Sequence, residues 1–161
     1  MVDLDLEDWD RDMRINVTSM MLMARYAIPE MRKQNGGAIV NIASVAGLRG
    51  GHTGLMYPTS KGAVVNMTRA MAVHHGREGI RVNCVNPGTA DTPWVARLLD
   101  KAADPAAERA ALEARQPSGR LVTPQEVADA VLYLAGPHAG ATTGTSLAVD
   151  GGMAGLRVRP R

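Results

Sequence analysis

Residues 38–61 of the chain read AIVNIASVAGLRGGHTGLMYPTSK. The run Ala38 to Ala43 is apolar apart from Asn41, as expected for a parallel strand covered on both faces. A glycine-rich loop, Gly47 to Gly54, follows, and a helix is predicted from about Leu55 to Gly76. Strand, loop and helix in this order predict α/β architecture.

Three side chains in this stretch predict an acid–base device. Ser44 ends the strand, and Tyr57 and Lys61 lie one helical turn apart on one face of the helix. A free tyrosine ionises only near pH 10, about three units too high for a base at neutral pH. The Lys61 ammonium would stabilise the phenolate, and Ser44 would hydrogen-bond the substrate oxygen. A Tyr-x-x-x-Lys pair alone is usually a solvated surface pair, but the strand-end serine favours one wall of a cleft.

Further motifs follow the same order as in a known family. Asn16 lies in Ile15-Asn16-Val17, and Asn86-Pro87-Gly88 precedes Asp91-Thr92-Pro93. Gly144-Thr145 and Val149-Asp150-Gly151-Gly152 come near the C-terminus. With Ser44, Tyr57 and Lys61, these motifs resemble the short-chain dehydrogenase/reductase family over nearly the whole chain.

The resemblance implies a catalytic tetrad of Asn16, Ser44, Tyr57 and Lys61. Tyr57 would be the general acid/base and Lys61 its activator, while Ser44 would bind the substrate oxygen and Asn16 would hold a relay water. The cofactor, NAD or NADP, would be held by Tyr57, Lys61, Pro87, Gly88 and Thr92. The substrate would be a small alcohol or carbonyl compound of the hydroxy-acid or sugar type.

The same resemblance implies that part of the family fold is missing. No Gly-x-x-x-Gly-x-Gly turn, which would bind the pyrophosphate, occurs in the sequence. We therefore expect a single partial domain over residues 1–161, with a partial Rossmann-like, doubly wound parallel sheet. The strand containing Ile39 would lack one neighbour and leave a bare edge. The alternative is a catalytically silent truncated fragment or interaction domain that binds the cofactor poorly.

The remaining elements are predicted from caps and breakers. One helix would run from Asp5, its N-cap, to about Gln34. A strand over Ile80–Asn86 would precede a helical region over residues 94–116, broken near Asp104-Pro105. Thr123-Pro124-Gln125-Glu126 predicts a capping box, and residues 146–149 a last strand. Arg97 or Arg115 would bind a substrate carboxylate, and the equally expected alternative is that both are exposed arginines of lid helices. Arg49 and His52 would line the substrate pocket.

Composition narrows the function class. The 161 residues are 45% hydrophobic with a formal net charge of only +2, so a basic nucleic-acid surface is not indicated. The terminal Arg157, Arg159 and Arg161 are more typical of a solvated tail. The single cysteine, Cys84, excludes an internal disulfide and suits the cytoplasm.

Other patterns concern metals, membranes and assembly. The four histidines lack metal-ligand spacing, so no metal site is expected. No apolar run approaches the roughly 20 residues of a membrane span. Methionines at helical spacing favour a core or an interface and, with the resemblance, a homo-oligomer, either dimer or tetramer. They are Met13, Met20, Met21, Met23 and Met31.

Overall fold

The computed structural model describes residues 4–50 and 54–157, so His52, Arg159 and Arg161 lie outside the described residues. The helices are α1 (Leu6–Met13), α2 (Ser19–Lys33), α3 (Met56–His75), α4 (Pro93–Leu99), α5 (Pro105–Ala114) and α6 (Pro124–Ala135). The strands are β1 (Gly37–Ile42), β2 (Ile80–Pro87) and β3 (Ser146–Val149). The predicted α/β class is confirmed.

The three strands form one parallel sheet in the order β1-β2-β3. Gly37 pairs with Ile80 at the start of the β1–β2 ladder, and Ile42 pairs with Val85 at its end. Cys84 pairs with Ser146 where β3 joins. In the described part of the chain β1 pairs with β2 alone, so it forms the predicted bare edge.

Helices cover both faces of the sheet, which makes it doubly wound. On one face Ile80 and Val82 of β2 pack against Ala24, Ile28 and Ala72 of α2 and α3, and all five are buried. Burial of this apolar layer stabilises the packing of the two helices on the sheet.

The opposite face is more polar and carries α6. Arg81 of β2 donates to the carbonyl of Leu134 at 2.6 Å and to that of Gly136 at 3.1 Å. A guanidinium at a helix C-terminus donates hydrogen bonds to the last carbonyls of the helix, which have no partner within it. Arg81 therefore fastens α6 to the central strand.

The predicted single helix from Asp5 to Gln34 is wrong in its middle. A π-helical segment, Arg14–Thr18, separates α1 from α2. Single π-helical turns are often found at functional sites, and this one carries Asn16. The Ser19 hydroxyl donates to the Ile15 carbonyl and supports the irregular turn.

Caps place the starts of the helices close to their predicted positions. Asp5 accepts a hydrogen bond from the Glu7 amide at 2.7 Å, and Thr123 and Glu126 form the predicted capping box. The predicted break at Asp104-Pro105 is present, because the Asp104 side chain caps α5. Among the described residues no helix has both the length and the apolarity to cross a membrane.

Candidate active site

Ser44 and Tyr57 line the same cleft, at the carboxyl ends of the strands. Ser44 lies two residues after β1, has extended backbone (φ −166°), and accepts a hydrogen bond from the Ala46 amide at 3.1 Å. Tyr57 is in the first turn of α3 and is 39% exposed. The βα unit read from the sequence therefore places a hydroxyl and a phenol around one open space of about 740 Å³.

The short distance between loop and helix depends on Gly47. A methyl group on its Cα would come within 2.5 Å of the Lys61 carbonyl carbon and 2.7 Å of the Gly62 nitrogen. These backbone atoms cannot move aside as a flexible side chain could. Only glycine lets the loop that follows Ser44 pack directly on the helix that carries Tyr57 and Lys61.

Lys61 lies buried behind Tyr57. Its ammonium donates to the Ile42 carbonyl at 3.1 Å and lies 5.7 Å from the centre of the Tyr57 ring. Burial lowers the pKa of Lys61, because removal from water disfavours the charged form. A desolvated cation so close to a phenol is suited to stabilising its ionised form.

Asn16 contacts α3 through Ser60, which was not among the predicted site residues. Its Nδ2 donates to Ser60 Oγ at 3.1 Å, and Ser60 Oγ donates to the Tyr57 carbonyl at 2.8 Å. Ser60 is fully buried. The sequence gives only a weak indication of this role, namely that Ser60 lies three residues after Tyr57. That Asn16 is its partner is seen only in the tertiary structure.

The segment that follows β2 forms a second wall of the cleft. The Gly88 amide donates to the Val149 carbonyl at 3.0 Å, which ties the segment to β3. Thr92 caps α4 by accepting from the Val95 amide at 3.3 Å, and Gly88 and Thr92 both line the cleft. Pro87 is the last residue of β2 and does not line the cleft.

The cleft wall is apolar and cationic. Arg49 and Arg115 line it, and no acidic side chain does so among the described residues. Arg97 of α4 is exposed and is absent from that lining. Of the two arginines proposed for a substrate carboxylate, Arg115 is therefore the one in position.

An ion pair fastens α5 to the second wall. Arg109 of α5 donates to both oxygens of Asp91, at 2.7 and 3.4 Å, and its Nε donates to Glu113 at 3.1 Å. Hydrogen bonding from Arg109 lowers the pKa of Asp91. The described residues contain no group of three or more His, Cys, Asp or Glu side chains arranged for a metal ion.

The chain is similar in sequence to known proteins over nearly its whole length. The family model described as Enoyl-(Acyl carrier protein) reductase matches residues 1–154. Cis-4-hydroxycyclohexanecarboxylate dehydrogenase of Sinomonas cyclohexanicum is 44% identical over 150 residues, which cover 93% of this chain and 58% of that protein.

Two solved structures superpose closely. A putative short-chain dehydrogenase/reductase from Burkholderia xenovorans gives a TM-score of 0.91 at 36% identity, with 98% of this chain and 60% of that chain covered. The structure of ElxO with NADP bound gives 0.88 at 28% identity, with 97% and 62% covered. The chain spans about three fifths of the length of these proteins. The chain therefore belongs to the short-chain dehydrogenase/reductase family, whose members are oxidoreductases.

Proposed function

We propose that this chain carries the catalytic half of an NAD- or NADP-dependent dehydrogenase/reductase acting on a secondary alcohol or carbonyl compound. One observation carries the proposal. Ser44 and Tyr57 line a single cleft with Gly88 and Thr92, and the buried Lys61 ammonium lies directly behind the tyrosine ring.

The chain's residues have distinct proposed roles. Tyr57 takes the substrate hydroxyl proton during oxidation and returns it to the carbonyl oxygen during reduction. Lys61 favours the ionised form of Tyr57, and Ser44 holds the substrate oxygen by a hydrogen bond. Asn16, through Ser60, supports the start of α3 and holds the water that links Lys61 to solvent.

The described residues fit the nicotinamide end of the cofactor. The cleft volume of about 740 Å³ is within the ordinary range for small-molecule sites, and Gly88 and Thr92 border it beside Tyr57. Tyr57, Lys61, Pro87, Gly88 and Thr92 would hold this end. A bound nicotinamide supplies the hydride donor or acceptor. The bound NADP in ElxO supports a nicotinamide cofactor for this chain.

The substrate is proposed to be a small hydroxy acid or its keto form. Arg49 and Arg115 give the cleft a positive wall, and a guanidinium binds a carboxylate in a bidentate manner. The relative from Sinomonas cyclohexanicum is named for a compound with a ring hydroxyl and a carboxylate. A sugar acid would present the same two groups.

The proposed setting is a cytoplasmic homo-oligomer, a dimer or tetramer. Cys84 is free and buried, which suits a reducing compartment. Helix α2 exposes Met21, Met23 and Tyr26, and an apolar helix surface of this kind favours contact with a second copy. Neither nucleic acid nor membrane is proposed as a partner.

The test combines cofactor titration with a substitution. The chain is titrated with NADH and NADPH to measure cofactor binding. Oxidation of 4-hydroxycyclohexanecarboxylate, with NAD⁺ or NADP⁺ as the hydride acceptor, is compared with that of cyclohexanol. We expect the acid to be preferred and Tyr57→Phe to lower kcat/KM by about 10²–10⁴-fold with an unchanged circular dichroism spectrum. Tyr133→Phe on α6, exposed and away from the cleft, is the matched control.

Two outcomes would count against the proposal. Near-normal turnover in Tyr57→Phe would refute the role of that residue. Absence of both cofactor binding and turnover in the unsubstituted chain would favour the alternative, a catalytically silent interaction domain.

A further inference from the structure

Gln116 is a buried polar side chain beneath the second wall of the cleft, and only 1% of it is exposed. Its Nε2 donates to the Thr89 carbonyl at 3.3 Å and to the Arg120 carbonyl at 2.7 Å. Both partners are acceptors, so they require the NH₂ group on this side and fix the orientation of the amide.

The other end of the amide points at Gly88. Gln116 Oε1 has no donor among the described residues, although it is buried. A methyl group on Gly88 would lie 2.4 Å from Oε1 and 2.9 Å from the Asp150 Cα. Gly88 is thus held between Gln116 and Asp150. A buried acceptor left without a partner is unfavourable, so a purely structural position would be filled more stably by an apolar side chain.

Gln116 joins two segments that border the cleft from different parts of the chain. Thr89 also accepts from the Val122 amide at 3.0 Å, and the Asp91 amide donates to the Val122 carbonyl at 2.8 Å. Arg115, the cationic residue of the wall, is the immediate neighbour of Gln116 in sequence. The amide therefore links the nicotinamide-side segment to the segment that presents Arg115.

We propose that Gln116 is a positioning residue that sets the separation between Gly88–Thr89 and Arg115, so that nicotinamide and substrate carboxylate are seated against one rigid wall. This inference rests on the proposed function for the identity of the two ligands. The hydrogen bonds that carry it are independent of that function. Gln116 itself touches neither ligand, because it lies outside the lining of the cleft.

The test is Gln116→Met, which keeps the length and volume of the side chain and removes its hydrogen bonds. Gln125→Met is the matched control, because Gln125 is exposed on α6 and its side chain donates to Asp129 at 2.7 Å. Amide hydrogen exchange is followed at Asp91 and Val122, with α3 as internal reference. Binding of nicotinamide mononucleotide and of 4-hydroxycyclohexanecarboxylate is measured on the same samples.

We expect exchange at Asp91 and Val122 to become about tenfold faster in Gln116→Met, with α3 unchanged. Affinity for both ligands should fall about tenfold while the urea midpoint stays near that of the control. Unchanged exchange at the two amides would overturn the proposal. So would a loss of affinity that is matched by a loss of global stability, since that is the signature of a merely structural residue.

The two proposals fail in different ways. If the unsubstituted chain binds neither ligand, the proposed function fails, and the exchange measurement alone decides whether Gln116 holds the two segments together. If the ligands bind equally well to both proteins, the proposed function stands and the positioning role is rejected.

Discussion

At the scale of single residues, the site depends on a buried cation. Lys61 is placed against the end of β1 by its hydrogen bond to the Ile42 carbonyl, and only 9% of the residue is exposed. Burying an ammonium disfavours its charged form, so the fold gives up stability at this position. Sites that hold a strained or desolvated group are expected to exchange stability for function in this way.

Lys61→Met is predicted to be as stable as the natural chain or more stable by about 1 kcal/mol near neutral pH, while losing activity. The folded pKa of Lys61 lies below its ordinary 10.5, so the unfolded chain holds this proton more tightly. The stability of the natural chain therefore rises with pH between the two values, and the advantage of Met should shrink there. Urea unfolding of both proteins at several pH values measures the difference in their stability.

The control for that series is Lys33→Met, an exposed lysine paired with Glu30 within α2. It should leave the urea midpoint nearly unchanged throughout. A Lys61→Met protein that is clearly less stable than the natural chain at neutral pH would contradict the argument.

At the scale of elements, the site is an arrangement of close contacts between segments. The π-helical turn carries Asn16 to Ser60 at the start of α3. The pair Asp91–Arg109 fastens α5 over the second wall. The loop between Ser44 and α3 contacts the helix backbone directly at Gly47, so the distance from serine to tyrosine is governed by the size of one residue.

Gly47→Ala is predicted to lower the free energy of unfolding by about 1–3 kcal/mol, because the added methyl group meets backbone atoms of Lys61 and Gly62. Gly76→Ala is the matched control. Gly76 has helical backbone (φ −59°) and no atom within 4 Å of an added Cβ. The control should be unchanged or up to about 1 kcal/mol more stable. Equal stability of both variants by urea unfolding would show that the loop has room to move.

At the scale of the whole molecule, the cleft and the ion-pair cluster around Glu78 lie at opposite ends of the sheet. The cleft is at the carboxyl ends of the strands. Near their amino ends, Glu78 accepts from Arg32 at 2.8 and 2.9 Å and contacts His75 Nδ1 at 3.0 Å. This cluster ties the end of α2 to the turn that leads into β2. Hydrogen bonding from Arg32 and His75 lowers the pKa of Glu78 to about 2.

Glu78→Gln is predicted to remove part of the acid sensitivity of the fold. The folded pKa of about 2 lies below the ordinary 4.5, so the carboxylate contributes its full stability above 4.5. That contribution is lost as the pH falls through about 2. The difference in urea midpoint between the two proteins should therefore narrow between these values. Glu30→Gln, in an exposed pair within α2, should show little difference at any pH.

Much of the fold and part of the site could be predicted because their causes are local. The apolar run before Ser44, the caps at Asp5, Asp104 and Thr123, and the spacing of Tyr57 and Lys61 act between near neighbours in the chain. These local features predicted β1, α3, α5 and α6 to within a few residues. They also predicted that Ser44 and Tyr57 lie on one cleft. The π-helical segment inside the first helix was not predicted, because a π-helical turn has no periodic signature.

What remained hidden depends on partners distant in sequence. Asn16 and Ser60 are 44 residues apart, Gln116 and Thr89 are 27 apart, and Asp91 and Arg109 are 18 apart. The type of a side chain determines which hydrogen bonds it can donate or accept. Its position in the sequence does not show which backbone groups the folded chain brings next to it. The order of strand, serine, tyrosine and lysine was readable in the sequence. The burial of Lys61, the bond from Asn16 to Ser60 and the fixed amide of Gln116 came from packing, because each needs two segments that only the folded chain brings together.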